Sequence, residues 1–354
     1  MSVEPRALEC PTARAKRGQA ARASGWSLRR LALLLVLVLT TSCGRPVEPL
    51  SPAPMAIPTP PPPVTFPRDA GPHDVLTEWW YYTGHLTTAD GRPYGFEFTV
   101  FQIRRQDTPP VYVAHFAISD IAGGRFRHEA RSVQAPSDQQ PPFDVQGWRL
   151  ALDPDRFFAN MADGLELRLD LIDEKPPALH HGGYIDEGPA GGSYYYSRTR
   201  LAAAGDLSGT PVTGLAWMDH QWGNFIVPSS GGWDWYSLQL DDRTEVMLYV
   251  LRLGEQTSTV YGSLVQPDGR VDELDPGSVN AEATGQWTSP HTGATYPSGW
   301  RLTLPGDEVL TLTPQLPDQE LHFGGGLPAY WEGAVSVTGT RTGQGYVELT
   351  GYAR

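Results

Sequence analysis

The sequence is poor in cysteine and lysine, and it lacks apolar spacing typical of helices. Its only cysteines are Cys10 and Cys43, so no disulfide can form in the chain that remains after an N-terminal signal is removed. Lys175 is the only lysine beyond the first 43 residues. Beyond residue 68, apolar residues do not recur at convincing helical intervals. Stability must therefore come from the core, and we expect that core to be built from strands.

The N-terminal region has the pattern of a secretory signal. Its apolar run, LALLLVLVL at 31–39, is too short for a membrane-spanning helix, which needs about 20 residues. Arg29 and Arg30 form a basic edge before the run. The following LTTSC ends at Cys43 and resembles a bacterial lipoprotein cleavage site. We predict a signal peptide over 1–43, either an ordinary one or one that leaves Cys43 lipidated.

The chain that follows the signal is strongly acidic. Residues 1–42 carry seven basic and two acidic side chains, and without them the formal net charge of −13 becomes −18. Such a surface repels phosphate groups, so we exclude nucleic acid as a partner. We expect an exported protein, either lipid-anchored at the cell envelope or secreted.

A proline-rich segment separates the signal from the rest of the chain. Ten prolines lie between Pro46 and Pro67, which favours an extended polyproline II spacer over packed structure. We assign residues 44–68 to this linker. If Cys43 is lipidated, the linker holds the remaining chain away from the membrane. About 285 residues follow, enough for one large or two ordinary domains.

Alternation of apolar and polar residues predicts an all-β fold. In LELRLDLID, for example, four leucines from Leu165 to Leu171 occupy one face of a strand. Glycine- and proline-containing turns such as ADGR, PDGR and PGDE separate many short runs of this kind. The pattern is typical of an antiparallel sandwich or barrel.

A weak internal repeat predicts two related β domains. EWWYYTGHLTTADGRPYGFEFTVFQIRR and GWDWYSLQLDDRTEVMLYVLRL each begin with tryptophans, turn on acidic residues and return as an apolar strand. This alignment places Trp80 opposite Trp235, a domain-sized offset. The boundary is expected in VPSSGG, which gives domains at 69–228 and 229–354.

Three motifs in this order, EWWYYTGHL, YYYSRTRL and GLAWMDHQWG, resemble the AttH/CrtC family. That family includes carotenoid hydratases and many secreted proteins often labelled hydrolases. The resemblance runs from about Asp69 to the C-terminus and implies two lipocalin-like domains packed together. Fungal cyclases look similar in architecture, so the fold does not fix the reaction.

Asp219 and His220 are the first candidates for acid–base chemistry. Histidine titrates near neutral pH, and a neighbouring carboxylate can orient it. Adjacent strand residues point to opposite faces, so the two share a site only if the chain turns near Gly223 and Asn224. The structural alternative is a hydrogen-bonded histidine at a strand end beside an aspartate that caps a loop.

Glu78 is the third catalytic candidate. Flanked by Trp79 and Trp80, its carboxyl can be desolvated and its pKa raised. The alternative is a partnered acid that pairs with Arg198 or Arg200.

The family resemblance implies further site residues. Carotenoid hydratases carry a His-x-Trp pair, matched by His220 and Trp222, and a later Tyr-x-Asp pair. Tyr249 matches the tyrosine, but Leu251 replaces the acid. A leucine cannot protonate an alkene, which argues against carotenoid hydration.

The abundance of tryptophan indicates flat apolar walls for a polyene, terpenoid, lipid or aromatic ligand. We expect the ligand to contact Trp79, Trp80, Tyr196, Trp222, Trp235 and Tyr249. His180 and His181 lack metal-ligand spacing, and no G-x-S-x-G motif is present, so we expect no metal, no cofactor and no triad hydrolase. A monomer is expected.

Two functions fit this sequence. The first is an enzyme that performs hydratase, isomerase, cyclase or hydrolase-like chemistry at Asp219 and His220. The second is a carrier that binds a hydrophobic molecule without changing it. Convergence of Asp219, His220 and Glu78 on one cavity would favour the enzyme.

Overall fold

A computed structural model describes most of the chain beyond the linker. Its described residues are 61–105, 108–135, 137–186, 191–225, 231–252, 258–323 and 328–353. The predicted signal peptide, Cys43 and most of the linker lie outside these residues, so the predictions about them are not tested. Both β-sheets described below lie in one compact unit, Ala53–Arg354.

The first sheet is antiparallel and has eleven described strands. Its spatial order is β4-β3-β2-β1-β11-β10-β8-β7-β6-β5, and β9 pairs with β10. The strands are β1 (Thr77–Thr88), β2 (Pro93–Ile103), β3 (Val111–Asp120), β4 (Arg125–Gln134), β5 (Phe143–Val145), β6 (Trp148–Leu152), β7 (Asp155–Asn160), β8 (Glu166–Asp173), β9 (Ala178–Asp186), β10 (Gly192–Leu207) and β11 (Thr210–Gly223).

The second sheet is also antiparallel, with ten described strands in the order β15-β14-β13-β12-β23-β22-β20-β19-β16 and with β21 beside β22. Its strands are β12 (Gly232–Leu240), β13 (Glu245–Arg252), β14 (Ser258–Val265), β15 (Val271–Glu273), β16 (Asn280–Ala283), β19 (Trp300–Leu304), β20 (Glu308–Pro314), β21 (Glu320–Leu321), β22 (Tyr330–Gly339) and β23 (Gly343–Leu349). A separate hairpin joins β17 (Gln286–Thr288) to β18 (Thr295–Pro297), and two 3-10 turns occupy Arg68–Ala70 and Pro276–Ser278.

The predicted all-β fold is confirmed, and both sheets are curled and nearly closed. In the part of the chain that the structure describes, no helix has the length and apolar character needed to cross a bilayer.

The two sheets share one topology. In each, the first strand lies between the second strand and the last: β1 between β2 and β11, and β12 between β13 and β23. The repeat seen in the sequence therefore corresponds to a structural repeat. The change of sheet falls between Gly223 and Gly232. Because one compact unit contains both sheets, the assignment of 69–228 and 229–354 as separate domains stays a prediction.

The alignment of Trp80 with Trp235 is wrong by one residue. Trp80 packs in the core of the first sheet, whereas Trp235 packs between the two sheets. Trp79 and Tyr81 are the residues of β1 that face the second sheet as Trp235 does. A shift of one residue along a strand exchanges the two faces of the sheet. Because aromatic residues follow one another along β1, the sequence alone does not reveal such a shift.

Four hydrophobic clusters of the described residues follow from the alternation. One fills the first sheet, one fills the second, and a larger and a smaller one lie between them. A buried ion cluster also joins the sheets, since Glu245 accepts hydrogen bonds from Lys175 Nζ at 2.5 Å and from Arg200 Nε at 2.6 Å. These contacts hold the two sheets against each other, and a cavity lies between them.

Candidate active site between the two sheets

Asp219 and His220 lie on opposite faces of β11. The strand stays regular up to Gly223, so the turn that would bring the two side chains together does not occur. Tyr81 and Ser197 flank Asp219 on the neighbouring strands. The prediction that Asp219 and His220 share one site is therefore wrong, for the reason that strand geometry supplies.

His220 faces the interior of the first sheet and contacts Glu78. Its Nε2 lies 2.8 Å from Glu78 Oε1, and both side chains are fully buried. His73, from the segment before β1, places Nδ1 2.7 Å from the same oxygen. Gln102 Nε2 donates to the other carboxylate oxygen at 3.2 Å. Glu78 and His220 thus converge, as expected, but without Asp219.

Hydrogen bonds reverse the expected effect of burial on Glu78. Desolvation raises the pKa of its carboxyl, but hydrogen bonds and charge interactions with His220 and His73 outweigh it and lower the pKa below its usual value. Burial lowers the pKa of His220. The raised pKa predicted for Glu78 is wrong. Its pairing with an arginine is also wrong, because Arg198 pairs with aspartates and Arg200 with Glu245.

The same three side chains are the ones that could hold a metal ion. One ligand atom from each of His73, Glu78 and His220 lies within 4.8 Å of the others. Two histidines and one carboxylate suit zinc or another divalent metal. The separations of 2.7 and 2.8 Å are those of hydrogen bonds, and a metal would have to part these atoms. We interpret the group as a hydrogen-bonded cluster that anchors the start of β1.

Asp219 faces the second sheet and accepts three hydrogen bonds. Trp217 Nε1 donates to Oδ1 at 2.6 Å, and the Ser197 hydroxyl donates to the same oxygen. The Tyr195 hydroxyl donates to Oδ2 at 2.9 Å and accepts from Trp235 Nε1 at 3.1 Å. Burial raises the pKa of Asp219 to about 7, although all three donors favour the carboxylate.

A cavity of about 60 Å³ lies between the sheets beside Asp219. Glu348, on β23, is the second acid on its wall, and it accepts a hydrogen bond from Trp233 Nε1 at 2.7 Å. Burial raises the pKa of Glu348 to about 8. The complete lining is Trp79, Tyr81, Phe101, Tyr195, Asp219, Gln221, Trp233, Trp235, Tyr249 and Glu348. Two acids that titrate near neutral pH therefore share one aromatic cavity.

Sequence reasoning missed Glu348. Pairing in the second sheet places both Tyr249 and Glu348 opposite Trp235, on the two strands that flank β12. The wall of the cavity near Tyr249 thus carries an acid, Glu348, from a strand almost 100 residues further along the chain than Leu251. A signal was present in GYVELTGY, because Glu348 shares its strand face with Tyr346 while Val347 and Leu349 take the other.

The six predicted contact residues divide between the two faces. Trp79, Trp235 and Tyr249 line the cavity. The other three surround His220 inside the first sheet, with ring centroids 4.6 to 5.3 Å from the imidazole: Trp222, Trp80 and Tyr196. Contact of a ligand with Trp222, Trp80 or Tyr196 stays a prediction. In the structure all three belong to the core of the first sheet.

The fold and cavity define a class of protein: two curled antiparallel sheets that pack face to face and enclose buried acids among aromatic side chains. Residues 57–352 match the AttH-like family, and the chain belongs to that family. The resemblance seen in the three motifs is therefore confirmed, and with it the lipocalin-like fold.

Two solved structures and one relative found by sequence are similar to this chain. An AttH-type protein from Nitrosomonas europaea is 33% identical, with a TM-score of 0.76 over 84% of this chain and 100% of its own. Kievitone hydratase from Nectria haematococca is 17% identical, with a TM-score of 0.65 over 82% of this chain and 93% of its own, and supports the fold alone. Kievitone hydratase from Fusarium solani subsp. phaseoli is 28% identical over 132 residues, which is 37% of either chain. Similarity to hydratases is thus present in both sequence and fold.

Proposed function

We propose that the protein is a hydratase-type enzyme that adds water to an unsaturated apolar compound in the cavity between the sheets. The observation that carries the proposal is the pair of acids, Asp219 and Glu348, on the wall of one aromatic cavity. Sequence similarity to a protein named kievitone hydratase supports the reaction type. We therefore assign the acid–base chemistry to Asp219 and not to its neighbour His220. Hydrogen bonds hold His220 inside the first sheet.

The two acids take different roles because their surroundings differ. Glu348 accepts one hydrogen bond and keeps its proton at neutral pH, so it serves as the general acid. Asp219 accepts three hydrogen bonds, which stabilise its carboxylate, so it serves as the general base.

Hydration then needs no other group. The Glu348 proton bonds to one alkene carbon, and the electron pair of the double bond forms that C–H bond. The cation left on the other carbon faces the indoles of the wall, such as Trp79 and Trp235, whose π faces stabilise positive charge. Water bonds to the cation and passes a proton to Asp219. The sum is one water added to one double bond and one proton moved from Glu348 to Asp219. Before the next turnover Asp219 releases a proton to solvent and Glu348 takes one up, and loss of water is the reverse.

The size of the cavity restricts what it can hold. A volume of about 60 Å³ is well below the roughly 300–1,000 Å³ of pockets for whole small molecules. The cavity therefore admits a small unsaturated group, and the rest of the substrate lies outside it.

We also propose export through the segment at 1–43, on the basis of its sequence pattern alone.

Mass spectrometry separates the enzyme from the carrier. The purified protein and Asp219→Asn are incubated in H₂¹⁸O with kievitone and with a lipid and terpenoid extract of the host, and bound and free compounds are analysed. We expect the unaltered protein to add one ¹⁸O-labelled water to a compound that Asp219→Asn binds but leaves unchanged. Equal retention by both proteins, with no compound consumed, would favour the carrier and contradict the proposal.

A further inference from the structure

His180 lies near Asp219 and has no role in the reaction proposed above. It lies in β9 and is fully buried. Its ring packs against Tyr195, with centroids 4.8 Å apart. Burial lowers the pKa of His180 to about 3, so the imidazole is neutral and has one donor and one acceptor nitrogen.

Hydrogen bonds connect both nitrogens of His180 into a longer chain of groups. Nε2 lies 2.8 Å from the Ser197 hydroxyl, which itself bonds to Asp219 Oδ1. Nδ1 lies 3.0 Å from the hydroxyl of Ser263, on β14 of the second sheet. Ser263 in turn donates to Glu273 Oε2 at 3.1 Å. The chain thus begins at the cavity acid and crosses from one sheet to the other.

The far end of this chain reaches the solvent. The Glu273 side chain, on β15, is 38% exposed, whereas Ser197, His180 and Ser263 are fully buried. The backbone N–H of His181 holds the second oxygen of Glu273 at 2.7 Å. Every interior member of the chain can both donate and accept a proton, which is what a proton-conducting chain requires.

We propose that Ser197, His180 and Ser263 carry protons between Asp219 in the cavity and Glu273 at the surface. The inference rests on the proposed function, because it gives the general base a way to release the proton that it takes from water. An apolar substrate in the cavity displaces solvent from that side of Asp219. The chain then provides exchange from the opposite side.

The transfer balances with one proton moved at each link. Protonated Asp219 donates to Ser197 Oγ, whose own proton passes to His180 Nε2. The proton on His180 Nδ1 passes to Ser263 Oγ, and the Ser263 proton passes to the Glu273 carboxylate. Afterwards Asp219 is ionised, Glu273 is protonated and open to water, and His180 has changed tautomer without gaining charge.

Infrared spectroscopy measures this exchange without a substrate. The C=O band of the protonated Asp219 carboxyl is identified at pH 5 as the band that Asp219→Asn lacks. Rapid dilution into D₂O shifts this band as O–H becomes O–D, and the rate of the shift is the rate of proton exchange. We expect Ser263→Ala to slow the shift at least tenfold and Glu273→Gln to slow it in the same direction.

Matched controls test for general damage to the fold. Ser237→Ala removes another buried serine of the second sheet, and Asp272→Asn removes the charge next to Glu273; neither group belongs to the chain. Both controls should exchange at the rate of the unaltered protein. Equal rates in Ser263→Ala and the unaltered protein, or no Asp219-dependent band at pH 5, would overturn the inference. Slow exchange in Ser263→Ala without any turnover would instead overturn the proposed function alone.

Discussion

At the residue scale, neighbours in sequence have different surroundings because strands alternate. Asp219 is exposed to a cavity with a second acid, while His220 lies in a closed group with Glu78 and His73. The sequence could single out this short segment as a candidate site, since both residues titrate and tryptophans surround them. It could not decide between the two faces, because both faces of β11 are aromatic and buried.

The first residue-scale prediction concerns His220. His220→Ala removes a hydrogen bond to the buried Glu78 carboxylate, and hydrogen bonds to charged groups contribute about 1.5–3 kcal/mol. We expect the free energy of unfolding in urea to fall by about 2–3 kcal/mol, while turnover by the folded fraction changes less than tenfold. Abolished turnover with unchanged stability would place the chemistry at His220 instead.

The second residue-scale prediction concerns Glu348. Glu348→Gln keeps the size of the side chain and can still accept from Trp233, but it has no acidic proton to donate. Loss of a general acid costs about 10²–10⁴-fold in rate. We expect a fall of that size in kcat on the compound that the unaltered protein hydrates. Glu282→Gln, an exposed acid of the same sheet, is the control and should leave kcat unchanged.

At the element scale, strand type and sheet class were predictable and strand register was not. Alternation in LELRLDLID identified β8 correctly, because one of its faces meets solvent and its polar residues mark that face. In β1, and in β11 from Ala216 onwards, nearly every residue is buried, so polarity does not distinguish the faces. Only the pairing of β1 with β2 and β11 determines which tryptophan meets the second sheet.

An element-scale prediction tests the close pairing of β1 with β11. A Cβ added at Gly214 would lie 1.9 Å from the backbone oxygen of His85, so the two strands would have to separate. Overpacking of this kind costs about 1–3 kcal/mol. Gly214→Ala should lower the urea midpoint of unfolding accordingly. Gly277→Ala, where the nearest atom lies 3.4 Å away, should lower it much less, and equal midpoints for the two variants would contradict the pairing.

At the scale of the whole molecule, titratable acids are buried between two sheets that share a topology. Glu97, Asp219 and Glu348 lie in or near the interface and have pKa values raised by burial to about 7, 7 and 8. Such groups are unfavourable for stability as soon as they ionise in the folded state. Acids that are buried without a paired cation are costly to ionise, and such groups are often found where chemistry requires them.

The pH dependence of stability follows from these groups. A raised folded-state pKa stabilises the fold below the unfolded value, near 4, and that contribution is lost as the pH rises towards 7 and 8. Each group contributes a slope of about 1.4 kcal/mol per pH unit while the pH lies between its two values. Buried histidines act in the opposite direction, because His85, His115 and His180, with pKa values lowered to about 4, 3 and 3, bind protons at pH 6 only in the unfolded state. Above about pH 7 these histidines are mostly neutral in both states, and the acids determine the trend.

We therefore expect the melting temperature to fall between pH 7 and pH 8. Calorimetry in buffers of constant ionic strength measures it, and Glu348→Gln should show a smaller fall because one acid with a raised pKa is removed. A melting temperature that stays constant or rises over this range would show that these acids are already fully ionised in the folded protein at pH 7.

The central claim is that the reaction takes place between the sheets, beside Asp219. A crystal structure of Asp219→Asn with the compound that it retains tests this claim most directly. We predict that the reacting carbons of the compound lie in the cavity, within about 4 Å of the side chain at position 219 and facing Glu348. A compound bound inside the first sheet, against His220 and Glu78, would contradict the account.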